Sequence, residues 1–324
     1  MWIGVLAGLT TCALWGLTYV VPRMVGPFSA IDLTVARYAV FMVASILVML
    51  HPKVRARRLT RDQILIGLGT GVVGYVGFFL AAAYAVQLAG AAIPPLMIGA
   101  MPVLLAVIAN YRDRTISWRR LALPMLVIAS GVMIVNVAAL QGVAVDNRLA
   151  LAAGIFLSLV SLAIWVAYGL VVGRIMQRPD APDILQWTGI QGIGAGLGSL
   201  FLIPFTSLGS EISFTTDQGL AFLGWALVMG LLGAWFATWC WSFAARRLPL
   251  ALSAQLIVAE TVFGLVYGFL FENRWPTAAE SIGAILQIGG MIAAVTVFSL
   301  GRRVERREAC EAGDVDLLGA GSRH

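Results

Sequence analysis

Long apolar runs, separated by short polar or charged connectors, fill most of the chain. A helix needs about 20 apolar residues to cross the hydrocarbon core of a bilayer. Ten intervals meet this requirement: 3–22, 30–50, 64–86, 92–110, 118–138, 150–173, 183–204, 219–244, 250–271 and 280–300. The apolar connector before the fourth is placed by Gly90, Pro94 and Pro95, because glycine and proline favour a turn followed by a helix start. The pattern predicts an all-α polytopic membrane protein with ten transmembrane helices.

The composition agrees with a membrane protein. Hydrophobic residues make up 60% of the 324 residues and charged residues only 12%, whereas soluble domains carry about 25% charged residues. The three cysteines, Cys12, Cys240 and Cys310, show no disulfide or metal-binding spacing. The glycines of 69–74 fit G-x-G-x-x-G but lie inside an apolar interval, and the single lysine, Lys53, excludes a Walker A motif. We therefore expect no cofactor, no metal and no enzymatic activity.

Basic residues concentrate in alternate connectors. Those after the second, fourth, sixth and eighth intervals, with the tail, hold 18 of the 22 lysines and arginines. The opposite connectors hold Arg23, Arg148 and Arg274. Basic residues stay on the cytoplasmic side of membranes, so both termini are predicted to be cytoplasmic in a multi-pass protein of the inner or plasma membrane. The asymmetry explains the pI near 9.6 without nucleic acid as a partner, and the arginines can contact anionic membrane lipids.

The second half of the chain echoes the first. An offset of 159 residues aligns Asp113 with Glu272, Gly131 with Gly290 and Met101 with Glu260, and an offset of 150 aligns Trp15 with Trp165. We therefore predict two repeats, 1–142 and 143–300, followed by a cytoplasmic tail, 301–324, that is predicted to be disordered. Because each repeat has an odd number of spans, the second must be inverted, and inverted repeats place a substrate site near the midplane where they meet.

Three features carry a resemblance to a known family. A tryptophan–glycine pair lies in ALWGLTYVVPR, and Arg37 lies early in the second interval, in LTVARYAV. Asp113 and Glu272 end the fourth and ninth intervals, each followed after 18 residues by a glycine. With five plus five helices, the chain resembles the drug/metabolite transporter superfamily of EamA type over residues 3–300. Within it, the chain is most similar to the YddG type, which implies export of aromatic and other hydrophobic amino acids, although Asp113 replaces the usual glutamate.

Glu260 is the sharpest candidate for a functional group. The ninth interval begins near Leu250 on the cytoplasmic side, and the residues between them, at 1.5 Å each, put Glu260 about 15 Å deep, near the bilayer centre. A charge there costs at least ~2.5 kcal/mol, so such a residue usually faces a cavity or a partner. We interpret Glu260 as a site for a substrate ammonium or a coupling proton. The alternative is a neutral, hydrogen-bonded carboxylic acid that pins helices together.

Faces that mix aromatic and small polar residues predict the rest of a substrate cavity. Such faces suit amphipathic solutes, although packing and interfacial aromatic belts produce the same pattern. The candidates beside Glu260 are Trp15, Tyr75, Phe79, Met97, Met101, Ser161, Trp165, Trp235, Trp239 and Gln255. Trp239 lies close to the cytoplasmic interface, where a belt position is at least equally expected.

Arg37 has two interpretations. It follows the start of the second interval closely, and its long stem is expected to snorkel to the outer interface. The alternative is pairing with a substrate carboxylate near the outer gate.

The leading functional hypothesis is a secondary transporter that exports small amphipathic metabolites, above all aromatic and hydrophobic amino acids, by alternating access through a midplane cavity. Export of drugs or other metabolites is the alternative. Nucleotide-sugars fit less well, because Arg37 alone is thin support for binding their phosphates. A structural membrane protein or a membrane-embedded enzyme is a third possibility, but an enzyme needs clustered polar catalytic residues at one depth, and the sequence shows none.

Overall fold

All regular elements that the computed structural model describes are helical. The structure describes residues 2–55, 59–101, 103–104, 107–108, 111, 117–142, 147–176, 178–207, 213–247, 250–290, 292–293 and 296–297. No strand occurs in these ranges. The predicted tail 301–324 lies outside them, so its predicted disorder stays a prediction.

The main helices are numbered in chain order, and one of them lies in each predicted interval. They are α1 (Trp2–Gly16), α2 (Ala30–Met49), α3 (Arg61–Ala89), α4 (Ile93–Ile98), α5 (Trp118–Gly142), α6 (Arg148–Met176), α7 (Ile184–Leu200), α8 (Thr216–Leu227, Val228–Phe236 and Ala237–Arg247), α9 (Leu250–Phe271) and α10 (278–290). Short helical turns at Leu17–Tyr19 and Val21–Met24 follow α1.

Six helices in the described part of the chain are long and apolar enough to cross a membrane. They are Trp2–Tyr19, Ala30–Met49, Arg61–Ala89, Trp118–Ala138, Arg148–Met176 and Thr216–Ala244. These helices coincide with six of the predicted intervals, while crossing by α4, α7, α9 and α10 stays a prediction. Apolar side chains such as Leu6, Leu47 and Leu223 are more than half exposed on the outside of the bundle. An apolar exterior of this kind suits contact with lipid.

Polar capping residues fix where several helices begin. The side chain of Ser29 accepts a hydrogen bond from the backbone N–H of Asp32, and the Asp32 carboxylate accepts one from the backbone N–H of Ser29. Thr60 and Thr215 start α3 and α8 with the same reciprocal arrangement, each paired with a glutamine three residues later. These capping boxes satisfy backbone donors that the first helical turn leaves free. They mark the polar connectors that the sequence pattern predicted.

Two helices contain a segment with wider turns. Residues Gly71–Gly77 of α3 and Val228–Phe236 of α8 are π-helical, so their hydrogen bonds run from residue i to i+5 instead of i+4. Gly71 and Gly74 precede Gly230 and Gly233 by the same 159 residues that relate the two halves of the sequence. Each predicted repeat therefore carries an equivalent irregularity. The inverted relation of the repeats stays a prediction.

Close helix contacts depend on glycines at a few positions. A Cβ added to Gly230 of α8 would lie 2.6 Å from Val40 Cβ and 2.7 Å from the carbonyl oxygen of Arg37 on α2. A Cβ on Gly99, just after α4, would lie 2.3 Å from Thr261 Oγ1 of α9. Both distances are too short for any side chain, so these glycines let α2 approach α8 and let α4 approach α9. The main core cluster fills the space between α1, α2, α3, α6 and α8 with aromatic side chains.

Candidate substrate cavity

A small cavity lies inside the main core cluster, and in this conformation it has room for little more than a water molecule. Its lining comes from α1, the turn after it, α2, α3, α6 and α9, through Trp15, Thr18, Arg37, Tyr38, Gly74, Tyr75, Phe78, Trp165 and Glu260. Every lining residue is buried. We call this space the aromatic cavity. It combines five aromatic side chains with one carboxylate and one guanidinium, which is unusual in a core made mostly of apolar side chains.

Glu260 projects from the middle of α9 into this space. Its Oε1 accepts a hydrogen bond of 2.9 Å from the Tyr19 hydroxyl, and the side chain is 5% exposed. Within the described residues, no cation lies within ion-pair distance of it. A buried carboxylate without a cationic partner is costly, so the site is suited to a ligand that brings a positive charge or a proton.

Arg37 contributes the opposite charge to the same cavity. One nitrogen, Nη2, donates to the carbonyl oxygen of Gly233 at 3.3 Å, while Nε and Nη1 have no hydrogen-bond partner among the described residues. The guanidinium carbon lies 4.2 Å from the ring centre of Phe79 and 5.2 Å from that of Tyr38. The prediction that Arg37 snorkels to an interface is wrong, because the residue is only 4% exposed. Its orientation on α2 turns it toward α3 and α8 instead of toward solvent.

Aromatic rings form the apolar wall of the cavity. The ring of Trp165 stacks on Phe78 at 4.6 Å between centres and on Tyr168 at 4.8 Å, and Trp15 meets it edge-on at 5.3 Å. Stacked and edge-on pairs of this kind add about 0.5–1.5 kcal/mol each beyond the area they bury. The wall is therefore well ordered, and it offers ring faces to an aromatic or hydrophobic ligand.

Hydroxyl and amide groups connect one side of the cavity to neighbouring helices. The Tyr75 hydroxyl lies 2.8 Å from Thr238 Oγ1 and 3.1 Å from the Tyr168 hydroxyl. Tyr168 in turn accepts a hydrogen bond of 3.1 Å from Gln191 Nε2, which also donates to Thr70 Oγ1 at 3.2 Å. This series of hydrogen bonds connects α8, α3, α6 and α7. It leaves Tyr75 with its hydroxyl occupied on both sides.

A second, narrower space, too small to hold a water molecule, adjoins the first. Its lining residues are Tyr19, Ile98, Gly99, Trp165, Ile257, Glu260 and Thr261. Trp165 and Glu260 belong to both linings and separate the two spaces.

The structure brings together only part of the predicted set of cavity residues. Trp15, Tyr75, Trp165 and Glu260 line the aromatic cavity. Phe79 lies behind the lining, under Arg37. Met101 packs in the main core cluster, Met97 packs in a separate cluster, and Ser161 is buried with its hydroxyl donating to the carbonyl of Phe78. None of these three is among the lining residues.

The tryptophans predicted on α8 also lie away from the lining. Trp235 packs against the outside of the core cluster, and Trp239 stacks between Phe236 and Phe243. The side chain of Gln255 lies outside the described residues. Phe236 and Phe243 lie three residues before and four residues after Trp239, so Trp239 packs along its own helix and not toward the cavity.

The sequence reasoning missed Tyr38, Phe78 and Tyr19 as parts of the site. A usable signal existed for Tyr19, because an aromatic residue four positions after Trp15 lies on the same helical face. Tyr38 follows Arg37 and Phe78 precedes Phe79, but adjacent residues on a helix point in different directions. The sequence gives no basis for preferring either.

Four charged side chains form a cluster at the end of the bundle where α9 ends. Arg23 donates to Glu272, and Arg274 donates to Glu272 at 2.6 Å and to Glu280 at 2.6 and 2.7 Å. The hydrogen bonds that Arg274 donates, first to Glu280 and then to Glu272, raise the pKa of Arg274 above its ordinary value. This charged cluster ties the turn after α1 to the loop between α9 and α10.

No set of three or more His, Cys, Asp or Glu side chains that could hold a metal occurs within the described residues.

Comparisons with known proteins point to one family. The family model of the EamA-like transporter family matches residues 2–137 and residues 152–296. The inner membrane protein YtfF of Escherichia coli (strain K12) is 29% identical over 303 residues, which cover 90% of this chain and 94% of YtfF. A protein of known crystal structure shares the fold with a TM-score of 0.61, at 21% identity, over 93% of this chain and 98% of that chain.

Proposed function

The chain belongs to the EamA-like transporter family, and from this premise we propose that it exports zwitterionic amino acids with aromatic or hydrophobic side chains. It is a membrane transporter and not an enzyme by family, and the similarity to an inner membrane protein supports the same location. The finer proposal concerns the cargo and the residues that bind it.

One observation carries the choice of cargo. Arg37 and Glu260 line the same cavity without forming an ion pair with each other. Opposite charges in a low-dielectric interior attract strongly, so a site that keeps them apart fits a ligand that places its own charges between them. The carboxylate of an amino acid fits the free donors of Arg37, and its ammonium group fits Glu260.

The remaining lining favours an apolar side chain on that amino acid. Trp15, Phe78 and Trp165 present ring faces and edges, and a cargo ring can stack on them as they stack on one another. Because neither space holds more than a water molecule in this conformation, cargo enters the proposed site only after the lining helices move apart.

The route of transport follows from the arrangement of the two halves. The family model matches each half of the chain separately, and equivalent wide turns occur in α3 and α8. Both observations support two repeats around a central site, the arrangement by which secondary transporters alternate access. We therefore propose alternating access, with cargo bound in the aromatic cavity and released on the side opposite the cytoplasmic termini.

The test is transport in proteoliposomes with three matched ligands. We expect labelled phenylalanine to be transported and to be displaced by other aromatic amino acids. Phenethylamine lacks the carboxylate, and 3-phenylpropionate lacks the ammonium group, so each loses one charge-assisted interaction worth about 1.5–3 kcal/mol. Each analogue is therefore expected to compete at least about tenfold less well. Equal competition by all three would overturn the proposed recognition of a zwitterion.

A further inference from the structure

The connector between α1 and α2, residues 17–29, covers one end of the aromatic cavity. Thr18 in its first turn belongs to the lining of that cavity, and Tyr19 belongs to the lining of the adjoining space. Residues 20–22 are buried, whereas Arg23 is exposed. The connector therefore forms a layer of chain between the cavity and the end of the bundle that the basic residues predict to face away from the cytoplasm.

One face of α9 closes against this connector. The Tyr19 hydroxyl donates at 2.9 Å to Glu260 at the cavity. A Cβ added to Gly264, one turn further along α9, would lie 2.6 Å from Cδ2 of the Tyr19 ring, so this ring packs directly on the backbone of α9. We call the contact between the connector and this face of α9 the α9 seam. Its inner end lies at the cavity.

The charged cluster closes the outer end of the α9 seam. Arg23 of the connector donates to Glu272, just after α9, and its guanidinium carbon lies 5.4 Å from the ring centre of Phe271. The side chain of Arg23 is 33% exposed and that of Glu272 is 15% exposed. A partly exposed ion pair shifts an equilibrium by up to about fivefold. The outer end of the seam is therefore held by a contact that can open reversibly.

The far end of the connector is attached more firmly, to the loop between α7 and α8. Asp32, at the start of α2, is 7% exposed and accepts hydrogen bonds from the backbone N–H of Ser207 at 2.7 Å and from its hydroxyl at 2.6 Å. Phe28 also stacks on Phe222 at 4.3 Å between ring centres. Hydrogen bonds to a shielded charge are stronger than a partly exposed ion pair. A separation of the connector from the second half therefore begins at α9.

We propose that the α9 seam is the outer gate of the aromatic cavity, with the ion pair between Arg23 and Glu272 as its latch and the attachment at Asp32 as its hinge. This inference rests on the proposed function in one respect, namely that cargo binds in the aromatic cavity. The closed cavity has room for little more than a water molecule, so the cavity must open for cargo to leave. When the latch opens, Thr18 becomes accessible from outside.

The experiment measures how fast a cysteine in the cavity reacts with an impermeant thiol reagent outside intact cells. Thr18→Cys, in a variant without native cysteines, places the thiol in the lining, and Arg23→Gln removes the latch. Glu280→Gln is the matched control. It breaks the ion pair between Arg274 and Glu280, which belongs to the same charged cluster but lies entirely after α9. Trp275→Cys, at a position that is 92% exposed, gives the reaction rate of a thiol that no gate covers.

We expect Thr18→Cys to react slowly, Arg23→Gln to accelerate the reaction by up to about fivefold, and Glu280→Gln to leave the rate unchanged. Arg23→Lys keeps the positive charge and is expected to react nearly as slowly as the protein with Arg23. Added salt screens exposed charges, so it is expected to accelerate the reaction when Arg23 is present and to have less effect in Arg23→Gln. This salt dependence tests the latch even if a latch variant does not fold.

A second measurement closes the gate covalently. Arg23→Cys and Glu272→Cys are combined and joined by a short, cleavable bifunctional thiol reagent. We expect the cross-link to stop transport of labelled phenylalanine in proteoliposomes and cleavage to restore it. Each single cysteine variant is the control, in which the same reagent is expected to leave transport unchanged. Undiminished transport by the cross-linked protein would overturn the proposed gate.

The outcomes separate this inference from the proposed function, because the labelling rates are measured without cargo. If phenylalanine is transported but Arg23→Gln and Glu280→Gln give equal labelling rates, the gate is wrong and the cargo assignment stands. If phenylalanine is not transported by the unmodified protein, the cargo assignment is wrong, and the labelling rates decide the gate alone.

Discussion

The two buried charges are the costly features of this molecule, because each has lost its hydration without gaining a full set of partners. Glu260 has one hydrogen bond, from Tyr19, and Arg37 has one, to Gly233. The aromatic rings around them exclude water and so strengthen the electrostatic attraction between these side chains and the charges of a ligand. In the proposed function, recognition of cargo therefore depends mainly on these two side chains, while the rings select its shape.

Glu260→Gln tests the first of these side chains. The amide oxygen can still accept the Tyr19 hydrogen bond, so we expect the thermal stability to change little. The loss of the negative charge removes an interaction of about 1.5–3 kcal/mol with an ammonium group, so uptake of subsaturating phenylalanine is expected to fall about tenfold or more. Proteoliposome uptake measures this.

Tyr19→Phe is the control, because it removes the donor and keeps the carboxylate. We expect Tyr19→Phe to retain most of the phenylalanine uptake. If Glu260 instead carries a coupling proton, the glutamine variant will lose its response to a pH gradient while exchange of cargo continues. Unchanged uptake and unchanged pH response in Glu260→Gln would show that the residue only pins helices.

Trp165→Ala tests the aromatic wall. The change removes the ring that separates the two empty spaces and stacks on Phe78, so affinity for aromatic cargo is expected to fall more than affinity for small apolar amino acids. Stability is expected to drop by about 3–5 kcal/mol, as for other buried aromatic residues.

Trp187→Ala is the matched control, because Trp187 is equally buried but lines neither space. We expect a similar loss of stability without a change in cargo preference. If both variants lose affinity equally for aromatic and small apolar amino acids, Trp165 contributes to packing only. Competition assays with phenylalanine and alanine, together with melting curves, distinguish these results.

Helix contacts in this fold depend on a few close approaches. Gly230 is the clearest, because a Cβ there would lie within 2.7 Å of atoms of both Arg37 and Val40. Gly230→Ala is expected to push α8 away from α2 and to destabilise the protein by about 1–3 kcal/mol, as overpacking does. Gly224→Ala in the same helix meets no atom within 4 Å and is expected to be neutral or slightly stabilising. Similar melting temperatures for the two variants would contradict the close contact.

The orientation in the membrane is a property of the entire chain and can be tested with cysteine labelling. In a variant without native cysteines, a cysteine in place of Trp275, which is 92% exposed, is expected to react with an impermeant reagent from outside intact cells. A cysteine in place of Lys53, which is also exposed, is expected to react only after lysis. The reverse pattern would overturn the predicted topology, since the basic residues that set it would then face outward.

The sequence predicted the helical intervals well and the site only in part, for different physical reasons. An interval depends on the sum of many apolar residues, so the positions of α1, α2, α3, α5, α6 and α8 follow from composition along the chain. Glu260 was identifiable because one charge stands out in an apolar run. Arg37 was misplaced because depth along a helix says nothing about which neighbour the side chain faces. Trp239 lies away from the lining because it packs on Phe236 and Phe243 of its own helix, and an aromatic pattern alone does not say which helix face points to a cavity.

The unsatisfied nitrogens of Arg37 have a consequence for the kinetics of the empty carrier. In an empty cavity, passage through the closed intermediate strips the remaining water from this charge, whereas a cargo carboxylate of the proposed kind stays paired with it, so the loaded protein is expected to cross its transition barrier more readily than the empty one. Return of the empty protein then limits the net flux. We expect unlabelled phenylalanine on the far side to accelerate release of labelled phenylalanine several-fold, which a trans-stimulation assay measures. In Arg37→Met, where the empty cavity has no such charge, that acceleration is expected to disappear, so that the protein changes from a preferential exchanger into a simple uniporter.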